Sequence, residues 1–257
     1  MTTVRWTRVA LLAAGLLFLL FPLLRPWPDE TVASAELATA FASDRWVLAH
    51  LSGILGLALL APALLGLRAV LADAGAAGVG PDAAGRGLSA PRRGLGAVTW
   101  ALITAWAGAG CAALYFGAEI FGIRTIAQAA LRDDDLGLLA DIEVLRMQPW
   151  AVALFATGLL LLAVSGVLIA VALWRSGAGQ PGLLRSGAGA RWAGIPLGLG
   201  LVLLLPQFFG GPELRITHGF LVAAGCLLIA ATVRDGGGVE PQVPRPSRPA
   251  ATSNREV

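Results

Sequence analysis

The chain has little charge and few residues of the types that most often carry chemistry. Only 14% of its 257 residues are charged, none of its 19 basic residues is a lysine, and it has two cysteines and two histidines. The two cysteines, Cys111 and Cys226, both lie in apolar runs and do not indicate a disulfide framework. The 56% hydrophobic residues and a mean hydropathy of +0.74 exclude a water-soluble domain and a disordered chain. This composition is typical of a helical protein that crosses a membrane several times.

Six stretches are long and apolar enough to cross about 30 Å of hydrocarbon at roughly 1.5 Å per residue. They cover residues 9–24, 46–67, 95–118, 150–174, 192–209 and 216–233, and none contains aspartate, glutamate or arginine. We predict an all-α membrane protein with a single six-helix transmembrane domain, residues 1–233. The segments 74–93 and 175–191 predict flexible loops, and the proline-rich segment 234–257 predicts a disordered cytoplasmic tail.

The arginines predict the orientation of the chain. With a cytoplasmic N-terminus, the inside segments hold 13 arginines and 5 acids, whereas the outside segments hold 6 arginines and 11 acids. This asymmetry follows the positive-inside rule and predicts that both ends lie in the cytoplasm of a bacterial cell. Six of the eight tryptophans lie at predicted span ends and indicate an aromatic belt, namely Trp6, Trp27, Trp46, Trp150, Trp174 and Trp192.

The first span also has features of a secretory signal. Arg5 and Arg8 precede an apolar run, and Ala33-Ser34-Ala35 resembles a cleavage site. However, Arg25, Asp29 and Glu30 lie between the run and that site, and the spacer is too long. We therefore expect an uncleaved first helix.

The segments outside the membrane predict short amphipathic helices on the outer face. Ile120, Ile123 and the alanines at 127 and 130 recur at helical spacing, as do Leu138, Ile142 and Leu145. Three aspartates, residues 133–135, separate the two runs and indicate a helix start. A further short helix is expected over residues 31–41, and interfacial packing is the simplest role for all three.

Both histidines, His50 and His218, lie inside predicted spans. Since the second and sixth helices both enter from the outside, His50 lies about four residues and His218 about two residues below the entry. The two imidazoles are therefore expected at one depth, and an ionisable side chain in the membrane is a candidate functional residue. Gly53 and Gly225 lie on the same helix faces, where a neighbouring helix or a flat ligand can approach closely.

One interpretation of the pair is a haem b site in the outer leaflet. Two histidines would supply both axial ligands of the iron, and Arg45 and Arg215 would contact the propionates. Tyr115 and Glu119, on a polar stripe of the third helix, would orient the site by hydrogen bonds. A zinc or copper ion would need a third donor, and the candidates at similar depth have no diagnostic spacing: Asp44, Glu119, Met147 and Glu213.

The competing interpretation is a structural or partner-binding membrane module in which both imidazoles only pack. The polar stripe of the third helix is then simply its inward face. Gly194 and Gly198 form a GxxxG pattern on the fifth helix, which predicts close helix packing.

Ser165-Gly166 on the fourth helix, with His218 on the sixth, is similar to the catalytic dyad of the six-helix rhomboid proteases. That family's glycine two residues before the serine is Ala163 here. Ser165 lies roughly 22 Å below the outer surface at 1.5 Å per residue, whereas His218 lies near that surface. A base so distant cannot take the proton of the serine, so we reject the protease.

A coupled transporter is also disfavoured, because no span carries the buried carboxylate or arginine that ion coupling needs. Passage of a neutral solute stays open as an alternative. The dispersed arginines give no indication of nucleic-acid binding. We therefore predict an integral protein of a bacterial cytoplasmic membrane, with the lipid bilayer as its partner and no enzyme chemistry that the residues support.

Overall fold

The computed structural model describes residues 2–77, 94–176 and 191–233, with side chains up to residue 73 in the first range. The predicted disordered tail and most of the two predicted flexible loops lie outside the described residues. The described residues are 88% helical and contain no strand. The helices are α1 (Thr3–Leu24), α2 (Ala35–Ala42), α3 (Asp44–Ala77), α4 (Leu95–Arg132), α5 (Asp141–Arg146), α6 (Pro149–Ser176), α7 (Gly194–Leu203) and α8 (Pro212–Thr232), with 3-10 turns at Leu136–Ala140 and Pro206–Phe209.

Six of these helices pack as a closed ring in chain order. Each of α1, α3, α4, α6, α7 and α8 contacts the next one, and α8 returns to contact α1. The chain alternates in direction from one ring helix to the next. For this reason the end of α1 lies at the same end of the ring as the starts of α3 and α8. One apolar core runs through the ring, and small side chains let its helices approach closely.

Membrane-type apolar surface surrounds the ring. Five helices are long and apolar enough to cross a membrane: α1, α3, α4, α6 and α8. Their outward side chains include Trp106 at 72% exposed and Leu114 at 66% exposed, which water would not tolerate in such numbers. The chain is thus a multi-pass membrane protein with lipid-facing helices.

The predicted fifth span, 192–209, differs most from the prediction. Its regular helix, α7, is only 10 residues long, and a separate 3-10 turn follows at Pro206–Phe209. Pro206 cannot donate a backbone hydrogen bond, so the α-helix does not continue through it. The sixth crossing predicted from the sequence therefore stays a prediction.

Glycines position α7 between its two neighbours. A Cβ on Gly198 would lie 2.9 Å from the carbonyl oxygen of Gly166 on α6, and one on Gly200 would lie 2.6 Å from Val222 on α8. A Cβ on Gly194 would also meet α6, 2.9 Å from Leu173. The close packing that the GxxxG pattern predicts is confirmed.

A cap covers one end of the ring; it consists of α2, the turn Leu136–Ala140, α5 and the C-terminal part of α4. These elements form a second apolar cluster around Phe41, Trp46, Ile123 and Ile142. Ser34 caps α2, because its hydroxyl accepts from the backbone of Leu37 at 3.1 Å. The short helix predicted over 31–41 is confirmed with a later start.

The prediction of a separate helix after residue 118 is wrong, because α4 continues without a break to Arg132. At 1.5 Å per residue its 38 residues extend about 57 Å, far beyond the hydrocarbon thickness. Glu119 lowers the hydropathy but does not break a helix, and the first break comes at Asp133. Asp135 then caps the turn Leu136–Ala140 by accepting from Gly137 at 2.9 Å.

One tryptophan departs from the predicted aromatic belt. Trp46 is fully buried beneath the cap, with its ring centroid 4.5 Å from that of Phe41. Trp174 and Trp192 do meet at the end opposite to the cap, with centroids 5.0 Å apart. A location at the end of a predicted span therefore does not distinguish a buried tryptophan from an interfacial one.

Candidate functional site

Four charged side chains form a connected network at the cap end. Arg25, which follows α1, donates to Glu30 at 2.6 Å. Arg146 on α5 donates to the other oxygen of Glu30 at 2.9 Å and to Glu119 on α4 at 3.0 Å. Arg25 is only 4% exposed and the side chain of Glu119 10% exposed. The network thus ties the ring to the cap by charge-assisted hydrogen bonds in a largely dry environment.

The neighbouring charges set the protonation of this network. Burial raises the pKa of Glu30, but Arg25 and Arg146 outweigh burial and hold it below its ordinary 4.5. Burial lowers the pKa of Arg146, but Glu119 and Glu30 together raise it above the ordinary value. Burial dominates at Arg25 and lowers its pKa. Glu30 is therefore ionised at neutral pH, and Arg25 is the network residue whose pKa is dominated by burial.

Aromatic rings surround two of the arginines. The guanidinium of Arg25 lies 4.4 Å from the ring centroid of Trp27 and 5.2 Å from that of Trp46. Its Nε and Nη1 are buried and have no hydrogen-bond partner among the described residues. The guanidinium of Arg215, on α8, lies 5.2 Å from Trp27 and 5.4 Å from Phe208. Cation–π contacts hold both guanidinium groups, of which that of Arg25 is buried and that of Arg215 is half-buried.

Arg215 differs from the other arginines of the cap end in its partners. It donates to the carbonyl oxygens of Gln207 at 3.3 Å and Phe208 at 3.4 Å. It forms no ion pair with any carboxylate of the described part of the chain. Its charge is therefore uncompensated there, unlike that of Arg146.

A cavity of about 480 Å³ lies between the ring and the cap, next to this network. Its polar lining residues are the arginines and acids of the network together with His50, Tyr115, Glu143 and Arg215. Its apolar lining residues come from α1, from α6 and from the segment that follows α7: Phe21, Val152, Phe155, Ala156, Leu205 and Phe208. Met147 and Phe209, 60% and 87% exposed, also line it, so the cavity reaches the protein surface. Its size and its mixed lining are those of small-molecule sites.

The two histidines line a second, much smaller cavity in the middle of the ring. His50 is 4% and His218 1% exposed, and the cavity between them measures about 20 Å³. The Nδ1 of His50 donates a hydrogen bond to the carbonyl oxygen of Trp46 at 2.8 Å. Neither ring nitrogen of His218 has a hydrogen-bond partner in the described ranges. Gln207 lines the same cavity, and its buried Oε1 is likewise unpartnered within those ranges. The space holds about one water molecule or one ion.

The space between the two rings, about 20 Å³, is much smaller than a haem. Small-molecule sites begin at roughly 300 Å³, and Phe18 and Phe21 already contact the edges of the two imidazoles. The two glycines that we expected to leave room for a flat ligand lie against other residues of the protein. A Cβ on Gly225 would lie 2.2 Å from the backbone nitrogen of Leu197, and one on Gly53 would lie 3.4 Å from Phe21.

The other predicted site residues divide into two groups. Tyr115, Glu119 and Arg215 all line the large cavity, and the ring of Tyr115 packs on Phe155 with centroids 4.4 Å apart. Arg45 is exposed and lines neither cavity, so the predicted propionate contact from Arg45 has no support. In the described part of the chain, no group of three or more His, Cys, Asp or Glu residues is placed to hold a metal ion.

Ser165 and His218 belong to different surroundings. The Ser165 hydroxyl donates to the carbonyl oxygen of Ala101 on α4 at 2.8 Å, whereas His218 packs against Phe18. The serine therefore joins two helices and is not hydrogen-bonded to the imidazole that a dyad would need.

Sequence reasoning did not identify Arg25, Glu30 and Arg146 as site residues. They lie in three separate segments, and the sequence presents them only as loop charges near span ends. Arg25 directly follows an apolar helix, which is the one sequence signal of a buried charge at this position. Their convergence depends on tertiary packing and has no local pattern.

Comparison with known protein families, with curated proteins and with solved structures gives no match to this chain. Its function must therefore be inferred from the geometry of the two cavities.

Proposed function

We propose that this chain is a six-crossing protein of a bacterial cytoplasmic membrane that binds a small amphipathic molecule in the large cavity. Both termini lie in the cytoplasm and the cap faces outward, as the arginine asymmetry indicates. The sixth crossing combines α7 with the following turn, which together extend to Phe209. The tail 234–257 is then a cytoplasmic extension.

The observation that carries the ligand proposal is the mixed lining of the cavity. Charged side chains and aromatic and aliphatic side chains line the same space. A molecule with a polar group and an apolar body can contact both kinds of side chain, whereas a fully polar or fully apolar molecule leaves one kind unmatched. Met147 and Phe209 at the cavity mouth give such a molecule a route from the membrane surface.

The test uses the protein in phosphatidylcholine nanodiscs with a photoreactive ten-carbon alcohol. We expect saturable labelling of cavity residues such as Phe155 and Phe208, located by mass spectrometry. Ala156→Trp fills the cavity and should abolish this labelling, because Ala156 lines it. Ala153→Trp is the matched control, since Ala153 is exposed on the same helix and lies outside the cavity. Labelling confined to lipid-facing residues, or unchanged by Ala156→Trp, would overturn the proposal.

A second candidate function is the binding of one metal ion by His50, His218 and Gln207. The observation in its favour is the set of buried atoms without a partner among the described residues, both nitrogens of His218 and Oε1 of Gln207, around a space of ionic size. Imidazole nitrogens suit zinc and copper. The alternative is a bridging water molecule or packing alone.

One preparation tests both the metal and the haem hypothesis. Purification after growth with added haem, zinc and copper is followed by metal analysis and an absorption spectrum. One zinc or copper per chain that is lost in His218→Leu supports the ion, and a haem absorption band lost in both His50→Ala and His218→Ala supports haem. Colourless, metal-free protein would leave the two imidazoles with a packing role only.

A further inference from the structure

One arginine of the large cavity has no acid paired with it. Three arginines line the cavity, Arg25, Arg146 and Arg215, together with three glutamates, Glu30, Glu119 and Glu143. Glu30 and Glu119 contact Arg25 and Arg146 at 2.6 to 3.0 Å. Glu143 is exposed at the surface and pairs with none of these arginines. Arg215 is therefore left without an ion pair among the described residues.

Arg215 is the unpaired cation of the lining. Its guanidinium contacts two backbone carbonyl oxygens and two aromatic rings, and these leave the full positive charge in place. Arg25, in contrast, is already paired with Glu30 at 2.6 Å. Because the Arg215 guanidinium is half-buried, an anion beside it would offset the cost of its partial burial.

The apolar half of the lining decides what kind of anion fits. Phe155, Leu205 and Phe208 line the same cavity as the charged side chains, and the Arg215 guanidinium lies 5.4 Å from the ring centroid of Phe208. A small inorganic anion would leave these side chains against water, whereas an alkyl or aromatic body would cover them. A charged guanidinium can also donate two parallel hydrogen bonds to a carboxylate, phosphate or sulfate group.

Building on the proposed function, we infer that the bound molecule is an amphiphile with one anionic group and that Arg215 binds this group. Anionic lipids and free organic acids share this chemistry. The apolar body lies against Phe155 and Phe208, and the anionic group pairs with the guanidinium of Arg215. Arg25 and Arg146 hold the network in place and make no direct contact with the ligand.

The experiment compares three photoreactive ten-carbon probes in phosphatidylcholine nanodiscs: an alkyl sulfate, the alcohol and an alkyl trimethylammonium. We expect the sulfate to saturate cavity labelling at a concentration about tenfold or more below that of the alcohol, as a charge-assisted contact gives. In Arg215→Gln this preference should fall to within about twofold. Arg215→Lys should keep part of the preference, and Arg45→Gln, on the exposed surface, should keep all of it.

The outcomes separate the two proposals. Saturable alcohol labelling without a preference for the sulfate would overturn the anion inference and leave the proposed function standing, whereas no saturable labelling by any probe would overturn both. If Arg215→Gln does not fold, loss of the preference at high ionic strength in the unaltered protein is the second measure, since salt screens the contact. Competition by phosphatidylglycerol placed in the nanodisc identifies a lipid as the source, and competition only by octanoate in the buffer identifies a free organic acid.

Discussion

Gly225 is a residue at which α8 lies very close to the backbone of α7. A Cβ at this position would lie 2.2 Å from the backbone nitrogen of Leu197 and 2.5 Å from its Cα. A backbone cannot move aside as a flexible side chain does, so α7 and α8 would have to separate. Gly110 on α4 is the opposite case, because a Cβ there would have no atom of the described residues within 4 Å outside its own helix.

We predict that Gly225→Ala lowers the free energy of unfolding by about 1–3 kcal/mol, the usual cost of overpacking a close contact. Gly110→Ala should leave stability unchanged or raise it by up to about 1 kcal/mol, since alanine favours a helix more than glycine does. Thermal unfolding in detergent measures both variants. Equal melting temperatures would contradict the close approach of α7 and α8.

Glu30 predicts how stability depends on pH. Its pKa in the folded protein lies below the ordinary 4.5, so its ionised form stabilises the fold. This contribution is fully present above pH 4.5 and is lost as the pH falls through the lower, folded-state value. Glu30→Gln should lower the unfolding free energy by about 2 kcal/mol at pH 7, because Arg25 and Arg146 lose their shared partner.

The loss of melting temperature in acid should also be smaller in Glu30→Gln than in the parent. Glu36→Gln is the control, since Glu36 is exposed and makes no ion pair in the part of the chain that the structure describes. An unchanged acid profile in Glu30→Gln would contradict the role of the network.

The residues of the site divide by how far sequence reasoning could identify them. His50 and His218 stand out because an ionisable side chain is rare in an apolar helix, and equal depth follows from the threading. The structure brings both to one small cavity. Arg25, Glu30 and Arg146 could not be grouped in advance, because their contacts join positions as far apart as 116 residues in the chain.

At the scale of elements, the joint between α4 and α6 combines close packing with an interhelical hydrogen bond. A Cβ on Gly158 of α6 would lie 2.8 Å from the backbone nitrogen of Ala112, and one on Gly108 would lie 2.8 Å from the carbonyl oxygen of Gly158. The Ser165 hydroxyl donates across the joint to Ala101 at 2.8 Å. Small residues thus bring the two backbones close enough for a side chain to reach a main-chain acceptor.

We predict that Ser165→Ala lowers the free energy of unfolding by about 0.6–1.5 kcal/mol, the range for such bonds between membrane helices. Ser52→Ala is the matched control, because the buried Ser52 hydroxyl bonds within its own helix, to Ala49 at 2.6 Å. That change should remain within about 0.5 kcal/mol. A larger loss in Ser52→Ala than in Ser165→Ala, measured by chemical unfolding in detergent, would contradict the interhelical role.

The elements differ in how reliably sequence signals predicted them. Long apolar stretches located five helices, because about 20 consecutive apolar residues match the length needed to cross a bilayer. Helix ends were less predictable. A charged residue such as Glu119 is typical of a span end, but α4 continues beyond it. Glu119 pairs with Arg146, and a paired carboxylate does not interrupt a helix. α7 ends early because Pro206 has no backbone N–H and cannot continue the helix, and hydropathy does not reveal this constraint.

For the whole molecule, chain order determines helix order around the ring. Neighbours in sequence pack as neighbours in space, which is the usual result of short connections between antiparallel helices. The large cavity follows from a different cause. α7 is the shortest of the six ring helices and is followed by a 3-10 turn, and side chains from this turn, from the other ring helices and from the cap meet around an unfilled space. Neither periodicity nor hydropathy predicts such a space.

The position of this cavity relative to the membrane is tested most directly by labelling Met147→Cys in intact cells with a membrane-impermeant maleimide. Met147 is 60% exposed and lines the cavity mouth. We predict that Met147→Cys is labelled before the cells are permeabilised and that a ten-carbon alkyl sulfate slows the reaction. Thr3→Cys, at the opposite end of the ring, should react only after permeabilisation. Labelling of Thr3→Cys alone in intact cells, or labelling of Met147→Cys that the alkyl sulfate does not slow, would contradict an outward-facing site for amphiphiles.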